Sequence, residues 1–218
     1  MVTYTLFNLS NIAFNSLYPI YASGSRPTGR ELSPKEIGLL LSLSGTAGIA
    51  FQAFLFTPID RRVGNVWCYR IAFLGFVIAL FAMPLAGVNP SSPRALLWAQ
   101  LGGALLIKSV AAVTGLTCAM LLVTNASPKP STLGTLNGLL QAVSAAGRAI
   151  GPLASGALFT AGFQKEGGEW LPWGVFGGVA AVGLGLSFAL RWKELEGEDG
   201  EEATALLGGE RNGSRRGS

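Results

Sequence analysis

Long apolar runs, separated by short polar or proline- and glycine-rich stretches, set the pattern of this chain. Six runs are evident, over residues 1–22, 37–57, 66–88, 95–123, 132–161 and 170–192. The second holds no charge. The third carries Arg70 near its start, the fourth is interrupted only by Lys108, and the fifth only by Arg148. As a helix, each run is long enough to cross a hydrocarbon core of about 30 Å, and the longest imply tilt or a kink. None alternates with the period of two that a membrane barrel needs. The pattern therefore predicts an all-α membrane protein, a six-transmembrane-helix bundle over residues 1–192. The connections read as loops. Ser33-Pro34-Lys35-Glu36 predicts a helix start with proline at its first position, and Asn89–Pro93 and Ser127–Pro130 are turn clusters. Trp170 and Trp173 are expected in an aromatic belt at one membrane surface, with Trp192 at the other. Past Arg191 the chain turns rich in Glu, Gly, Arg and Ser, so residues 193–218 are expected to form a disordered tail.

Composition narrows the class further. Of 218 residues, 50% are hydrophobic and only 13% charged, about half the charge of a usual soluble domain. Lipid is the solvent this composition fits. The net charge of +4 is scattered, and no basic block with interleaved aromatics points to nucleic acid. There is no histidine, and Cys68 and Cys118 fall in separate apolar runs, so neither a metal site, a cofactor nor a disulfide framework is expected. Loop charges near the membrane are nearly even on the two sides, and they leave orientation open.

Two runs carry polar stripes. In the fifth, Asn137, Gln141, Ser144, Arg148, Gly151 and Ser155 follow steps of four and three, which places them along one line of a helix. In the first, Tyr4, Asn8, Asn11, Asn15 and Tyr18 do the same. Polar groups in hydrocarbon need partners or water. The stripes fit two helices facing a wet cavity, or amides bonding neighbouring helices as packing glue. The stripe with Arg148 favours the cavity, because a guanidinium in mid-membrane costs at least about 2.5–3.5 kcal/mol. Lys108 reads as a cavity-lining cation or a member of an internal ion pair, yet no Asp or Glu lies inside the spans to pair with it. The spacings Gly134/Gly138, Gly147/Gly151 and Gly174/Gly178 permit close helix approach, and Gly151-Pro152 is expected to bend the fifth helix.

The stretch Leu133–Phe159 resembles helix 11 of the major facilitator superfamily of secondary transporters, in the branch of zinc-induced-facilitator-like transporters related to drug/proton antiporters. Gly147-x-x-x-Gly151-Pro152-x-x-x-Gly156 is similar to the antiporter motif of helix 5, the repeat partner of helix 11. Pro58-Ile-Asp60-Arg61-Arg62-Val63-Gly64 looks like a degenerate copy of the cytoplasmic loop motif between helices 8 and 9. Arg62 and Gly64 match it, Asp60 stands one position early, and Asn65 replaces a usual basic residue. The resemblance covers about residues 1–192. It implies half of a twelve-helix major facilitator fold, helices 7 to 12, with a cytoplasmic tail in the plasma or vacuolar membrane. It also implies a pathway lined by the first and fourth helices, while the second and fifth face the other half.

The expectations for function follow from both readings. The first is proton-coupled transport of a small solute. Tyr4, Asn8, Asn11, Asn15, Lys108, Gln141 and Arg148 would contact the cavity, Asp60, Arg62 and Gly64 would gate, and Gly147, Gly151, Pro152 and Gly156 would serve packing or hinge motion. The chain then reads as a truncated or partial product whose partners are the lipid bilayer, a small-molecule substrate, and either an N-terminal six-helix half or a second copy. The rival is a non-transporting membrane adaptor whose tail binds a partner. Enzyme chemistry has few groups to use here, with no histidine and no intramembrane carboxylate. Zinc transport gains nothing from this half, which lacks ligands for it.

Overall fold

The computed structural model describes residues 2–26, 29–88, 93–125, 130–163, 168 and 170–188. The turn residues 89–92 and 126–129, Trp192 and the expected tail 193–218 lie outside them. Six helices run in chain order: α1 Val2–Ser23, α2 Pro34–Val63, α3 Asn65–Leu85, α4 Arg94–Asn125, α5 Pro130–Phe163 and α6 Trp170–Ser187. No strand occurs among the described residues, and the fold is the all-α six-helix bundle that the apolar runs predict. Four helices, α2, α3, α4 and α6, are long and apolar enough by composition to cross a membrane. The other two, α1 and α5, are those that carry the polar stripes.

Local signals act as the chemistry requires. Ser33 caps α2: its hydroxyl accepts from the Glu36 amide at 3.3 Å, while the Glu36 carboxylate accepts from the Ser33 amide at 2.8 Å, with Pro34 at the first helical position. One turn of α2, Gln52–Phe56, is widened to π-helical geometry before the helix resumes through Val63. Gly64 then ends it at φ 87°, a conformation closed to most side chains, and α3 starts at the next residue.

The helices pack as a row. α5 lies on α1, α1 on α6, α6 on α3, α3 on α4 and α4 on α2, while lighter contacts bring α5 to α6 and α1 to α4 and α2. By these stronger contacts α5 is held chiefly by α1 and α2 chiefly by α4. The heart of the row is aromatic. Phe7 and Phe73 meet edge to face with centroids 4.9 Å apart, Phe14 meets Trp173 at 5.3 Å, and Tyr21 meets Trp173 at 5.4 Å. Lipid tails are as apolar as these rings, so close contact and ring geometry, rather than exclusion from water, hold this core. Trp173 departs from the expected interfacial belt. It is fully buried, because its position on α6 turns its ring between Phe14 and Tyr21, whereas Trp170 stays exposed.

Small residues make room selectively. The Phe7 ring occupies the space of a side chain at Gly115, and the Phe73 ring that at Gly183. Of the expected close-approach pairs, Gly147 and Gly151 press on Ile12 of α1, but Gly134, Gly138, Gly174 and Gly178 meet nothing within 4 Å among the described residues. Spacing creates an opportunity for approach, and only a neighbouring helix uses it. α5 continues helically through Pro152 to Phe163.

The α1–α2 connection is held from below. Buried Arg30 donates from Nε to the Ala86 carbonyl and from Nη2 to Pro84 O at 3.1 Å, with its guanidinium 4.8 Å above the Tyr21 ring. It thereby satisfies carbonyls at the C-terminal end of α3, where positive charge is favoured. Tyr21 adds a hydroxyl bond to Met83 O at 2.9 Å. At the far end of α6, Arg70 donates to Ser187 O at 3.3–3.4 Å.

Candidate functional site

The α1 stripe does not face one environment. Asn15 is exposed, Tyr4 and Asn11 are half-buried, Asn8 is 5% exposed and Tyr18 1%. Nδ2 of Asn8, Oδ1 of Asn11 and the Tyr18 hydroxyl are buried and have no hydrogen-bond partner among the described residues. The packing-glue reading needs such partners and does not find them at these three atoms.

α4 brings a cation to this stripe. The Lys108 ammonium donates to Oδ1 of Asn15 at 2.6 Å and stands 5.3 Å from the Phe14 ring centroid. Both side chains line a cavity of about 160 Å³ between α1, α2 and α4, together with Tyr18, Ser44, Leu105 and Ser109. Ser44 donates to Leu41 O at 3.0 Å. Close approach of α2 at Gly48, where an added Cβ would lie 2.6 Å from Oγ of Ser109, brings the Ser109 hydroxyl against this wall.

α5 supplies a second cation further along. Arg148 is exposed and donates from Nη1 to Oγ of Ser144 at 3.1 Å. Tyr4 and Asn15 are eleven residues apart on α1, roughly 16 Å of helix. The structure therefore joins Asn15 to Lys108 across helices, and Arg148 to Ser144 within its own stripe. Gln141 is exposed, with no hydrogen bond to the other six among the described residues. Ser155, by contrast, is buried, and its hydroxyl reaches Ala13 O at 3.5 Å.

Two kinds of exposed face distinguish the helices. On α3, Trp67, Ile71, Leu74, Ile78, Phe81 and Leu85 form an exposed apolar line in steps of four and three, the chemistry of a lipid contact. On α5 the exposed residues mix Asn137, Gln141 and Arg148 with Leu139, Ile150 and Leu153, and on α2 they mix Ser42 and Thr46 with Leu39, Leu43, Ile49 and Phe54. Hydrocarbon does not satisfy the amides and the guanidinium of α5, whereas the Thr46 hydroxyl on α2 donates to Ser42 O at 2.9 Å within its own helix.

The family model described as Major Facilitator Superfamily matches residues 1–209. The chain belongs to the Major Facilitator Superfamily. It is 26% identical over 205 residues to the major facilitator superfamily multidrug transporter mfsB of Aspergillus fumigatus, covering 89% of this chain and 33% of the relative. It is 24% identical over 194 residues to the protein zinc induced facilitator-like 1 of Arabidopsis thaliana, covering 86% and 40%. To the efflux pump azaK of Aspergillus niger it is 29% identical over 199 residues, covering 90% and 41%. The chain thus spans between a third and two fifths of the length of these curated relatives. No solved structure matches it.

As a member of the superfamily, the chain is an integral multi-pass membrane protein with a partial domain of the family fold, in a family of transporters rather than enzymes. The stretch Pro58–Gly64, expected as a loop, is helical up to Val63 here, and Gly64 alone breaks the chain between α2 and α3. The Gly64 amide donates to the Asp60 carbonyl at 2.8 Å. Oδ1 of Asp60 is buried without a hydrogen-bond partner among the described residues, whereas Arg61 and Arg62 are exposed. Cys68 and Cys118 are buried free thiols. Sequence reasoning missed Ser44, Ser109 and Phe14 as cavity residues. Ser109 adjoins Lys108 and carried a signal by position. Ser44 sits on a charge-free helix with no local mark, and Phe14 reads as core until its ring is seen beneath the ammonium.

Proposed function

We propose that this chain is a six-helix half of a proton-coupled secondary transporter that moves a small organic solute across the membrane. The observation that carries this reading is the exposure of Arg148, Gln141 and Asn15 partway along membrane helices. A guanidinium facing lipid there is costly, so that face meets water or another protein. In alternating access, two bundles rock about a site at their interface. α2 and α5 are the faces offered to a second bundle, which is an N-terminal six-helix half or a second copy. Relatives named as a multidrug transporter and an efflux pump support an organic solute that is exported.

In this reading Tyr4, Asn8, Asn11, Asn15, Lys108, Gln141 and Arg148 contact the pathway. Gly147 and Gly151 seat α5 on α1, Pro152 and Gly156 give α5 its hinge, and Asp60, Arg62 and Gly64 gate at the α2–α3 corner. The tail lies in the cytoplasm, and the membrane is plasma or vacuolar. The described acidic residues Glu31, Glu36 and Asp60 lie in a loop or near helix ends, so a mid-membrane proton carboxylate belongs to the second bundle. The test is dye movement in proteoliposomes holding the chain alone or with the first six helices of a multidrug relative, under an imposed proton gradient. Movement is expected to cease when the gradient is collapsed or when Arg148→Ala replaces the native residue, with membrane insertion unchanged. Movement indifferent to both, or none in either arrangement, refutes the proposal.

A further inference from the structure

We infer that the cavity between α1, α2 and α4 is an anion subsite that receives the carboxylate of the solute, with Lys108 and Tyr18 as its donors. The word solute rests on the transport reading above, while the binding chemistry stands on the cavity itself. An ammonium has three N–H donors. Lys108 gives one to Asn15, and its charge lies near the face of Phe14. Among the described residues no acidic side chain lines the cavity: Glu31, Glu36 and Asp60 do not belong to its walls. The charge is therefore solvated by one amide oxygen and one ring, with no counter-charge among the described residues.

The second donor is independent of the first. Tyr18 lines the same cavity, is 1% exposed, and holds a buried hydroxyl with no hydrogen-bond partner among the described residues. A buried hydroxyl without an acceptor is costly, and in this proposal a carboxylate held by Lys108 supplies the acceptor. Charge-assisted bonds of this kind are the stronger sort. Ser109 adds a hydroxyl to the lining, and Phe14, Leu41 and Leu105 make its apolar remainder. The volume of about 160 Å³ matches roughly five waters, room for a carboxylate with a small hydrocarbon body. A cationic solute is repelled by Lys108, and a neutral one leaves the charge uncompensated.

The probe is benzoate, with benzyl alcohol and benzylamine as neutral and cationic analogues of the same shape. The full chain is held in lipid nanodiscs, binding is read by calorimetry, and empty nanodiscs give the partition into lipid to be subtracted. Benzoate is expected to bind at least tenfold more tightly than either analogue. Lys108→Met removes that preference, Lys108→Arg retains it, and Tyr18→Phe weakens benzoate severalfold without affecting benzyl alcohol. Asn15→Asp, which supplies an internal counter-charge, also removes the preference, and it decides the matter where Lys108→Met fails to fold. Equal affinity for the three probes, or a preference that survives both Lys108→Met and Asn15→Asp, overturns the inference. So does loss of benzoate binding on adding the N-terminal half of a multidrug relative, because the anion is then a carboxylate of that half. Equilibrium binding needs no flux. Dye movement without benzoate preference removes only this subsite, and benzoate preference without dye movement removes only the transport reading.

Discussion

Gly151→Ala is the most informative single change to the α1–α5 contact. A Cβ added there lies 2.7 Å from Cγ2 of Ile12 and 3.6 Å from its Cβ. Ordinary contact begins near 3.4 Å, so something must move by roughly 0.7 Å. Ile12 cannot yield by rotation, because a β-branched side chain in a helix is confined to one strongly preferred χ1 well. The helices themselves must part. Overpacking of this kind costs about 1–3 kcal/mol, against which alanine regains about 1 kcal/mol of helix propensity. The expected net loss is about 1 kcal/mol. At Gly147 the nearest atom is the Cδ1 tip of Ile12 at 2.9 Å, which can swing aside, so alanine there is expected within about 0.5 kcal/mol of neutral. Gly138 and Gly156 meet nothing within 4 Å among the described residues, so alanine there is neutral or stabilising by up to about 1 kcal/mol. The assay is unfolding of the chain in mixed micelles by added SDS, followed by tryptophan fluorescence. A double-mutant cycle with Ile12→Ala should show a coupling of about 1–2 kcal/mol for Gly151 and none for Gly156. Equal effects at Gly151 and Gly156, or no coupling to Ile12, would refute the argument from close approach.

Other expectations follow from the same packing. Arg30→Ala leaves the Pro84 carbonyl without its buried side-chain donor and the Ala86 carbonyl with the Tyr21 hydroxyl alone at 3.3 Å, and should cost about 1–3 kcal/mol in the same unfolding assay; Arg30→Lys should not restore it, because one ammonium cannot replace the fork. Full stability of either variant would show that the clamp is incidental. Ile78→Lys places a charge on the apolar line of α3 and should lower membrane insertion by about 2.5–3.5 kcal/mol, read by glycosylation mapping, whereas Gln141→Lys on the polar face of α5 should insert almost as well as the native chain. Equal penalties at the two positions would contradict the division between lipid-facing and polar faces.

The stripe on α1 shows why periodicity alone cannot assign an environment. Its five residues share one line of the helix, yet that line runs from half-exposed Tyr4 past buried Asn8 to exposed Asn15 and fully buried Tyr18. α1 packs against α5 and α6 and also touches α4 and α2, so neighbours cover the stripe unevenly along its length. The same limit applies to glycine. Gly134/Gly138 and Gly147/Gly151 have identical spacing on one helix, and only the second pair has Ile12 opposite it.

Length, apolarity and period were legible before any fold was known, and they sufficed for six helices, a lipid environment, the capped start of α2 and the two polar stripes. Those properties are local, set by residues within a turn or two of each other and by the demand that every backbone group in lipid be bonded within its own helix. Which residues become neighbours depended on tertiary packing. Lys108 meets Asn15 across 93 positions of chain, Trp173 enters the core between Phe14 and Tyr21, Arg30 reaches back under α3, and Ser44 and Ser109 close a cavity that no motif announces. Between apolar helices in lipid, side-chain shape and a few polar contacts choose the partner, and shape acts only when two surfaces meet.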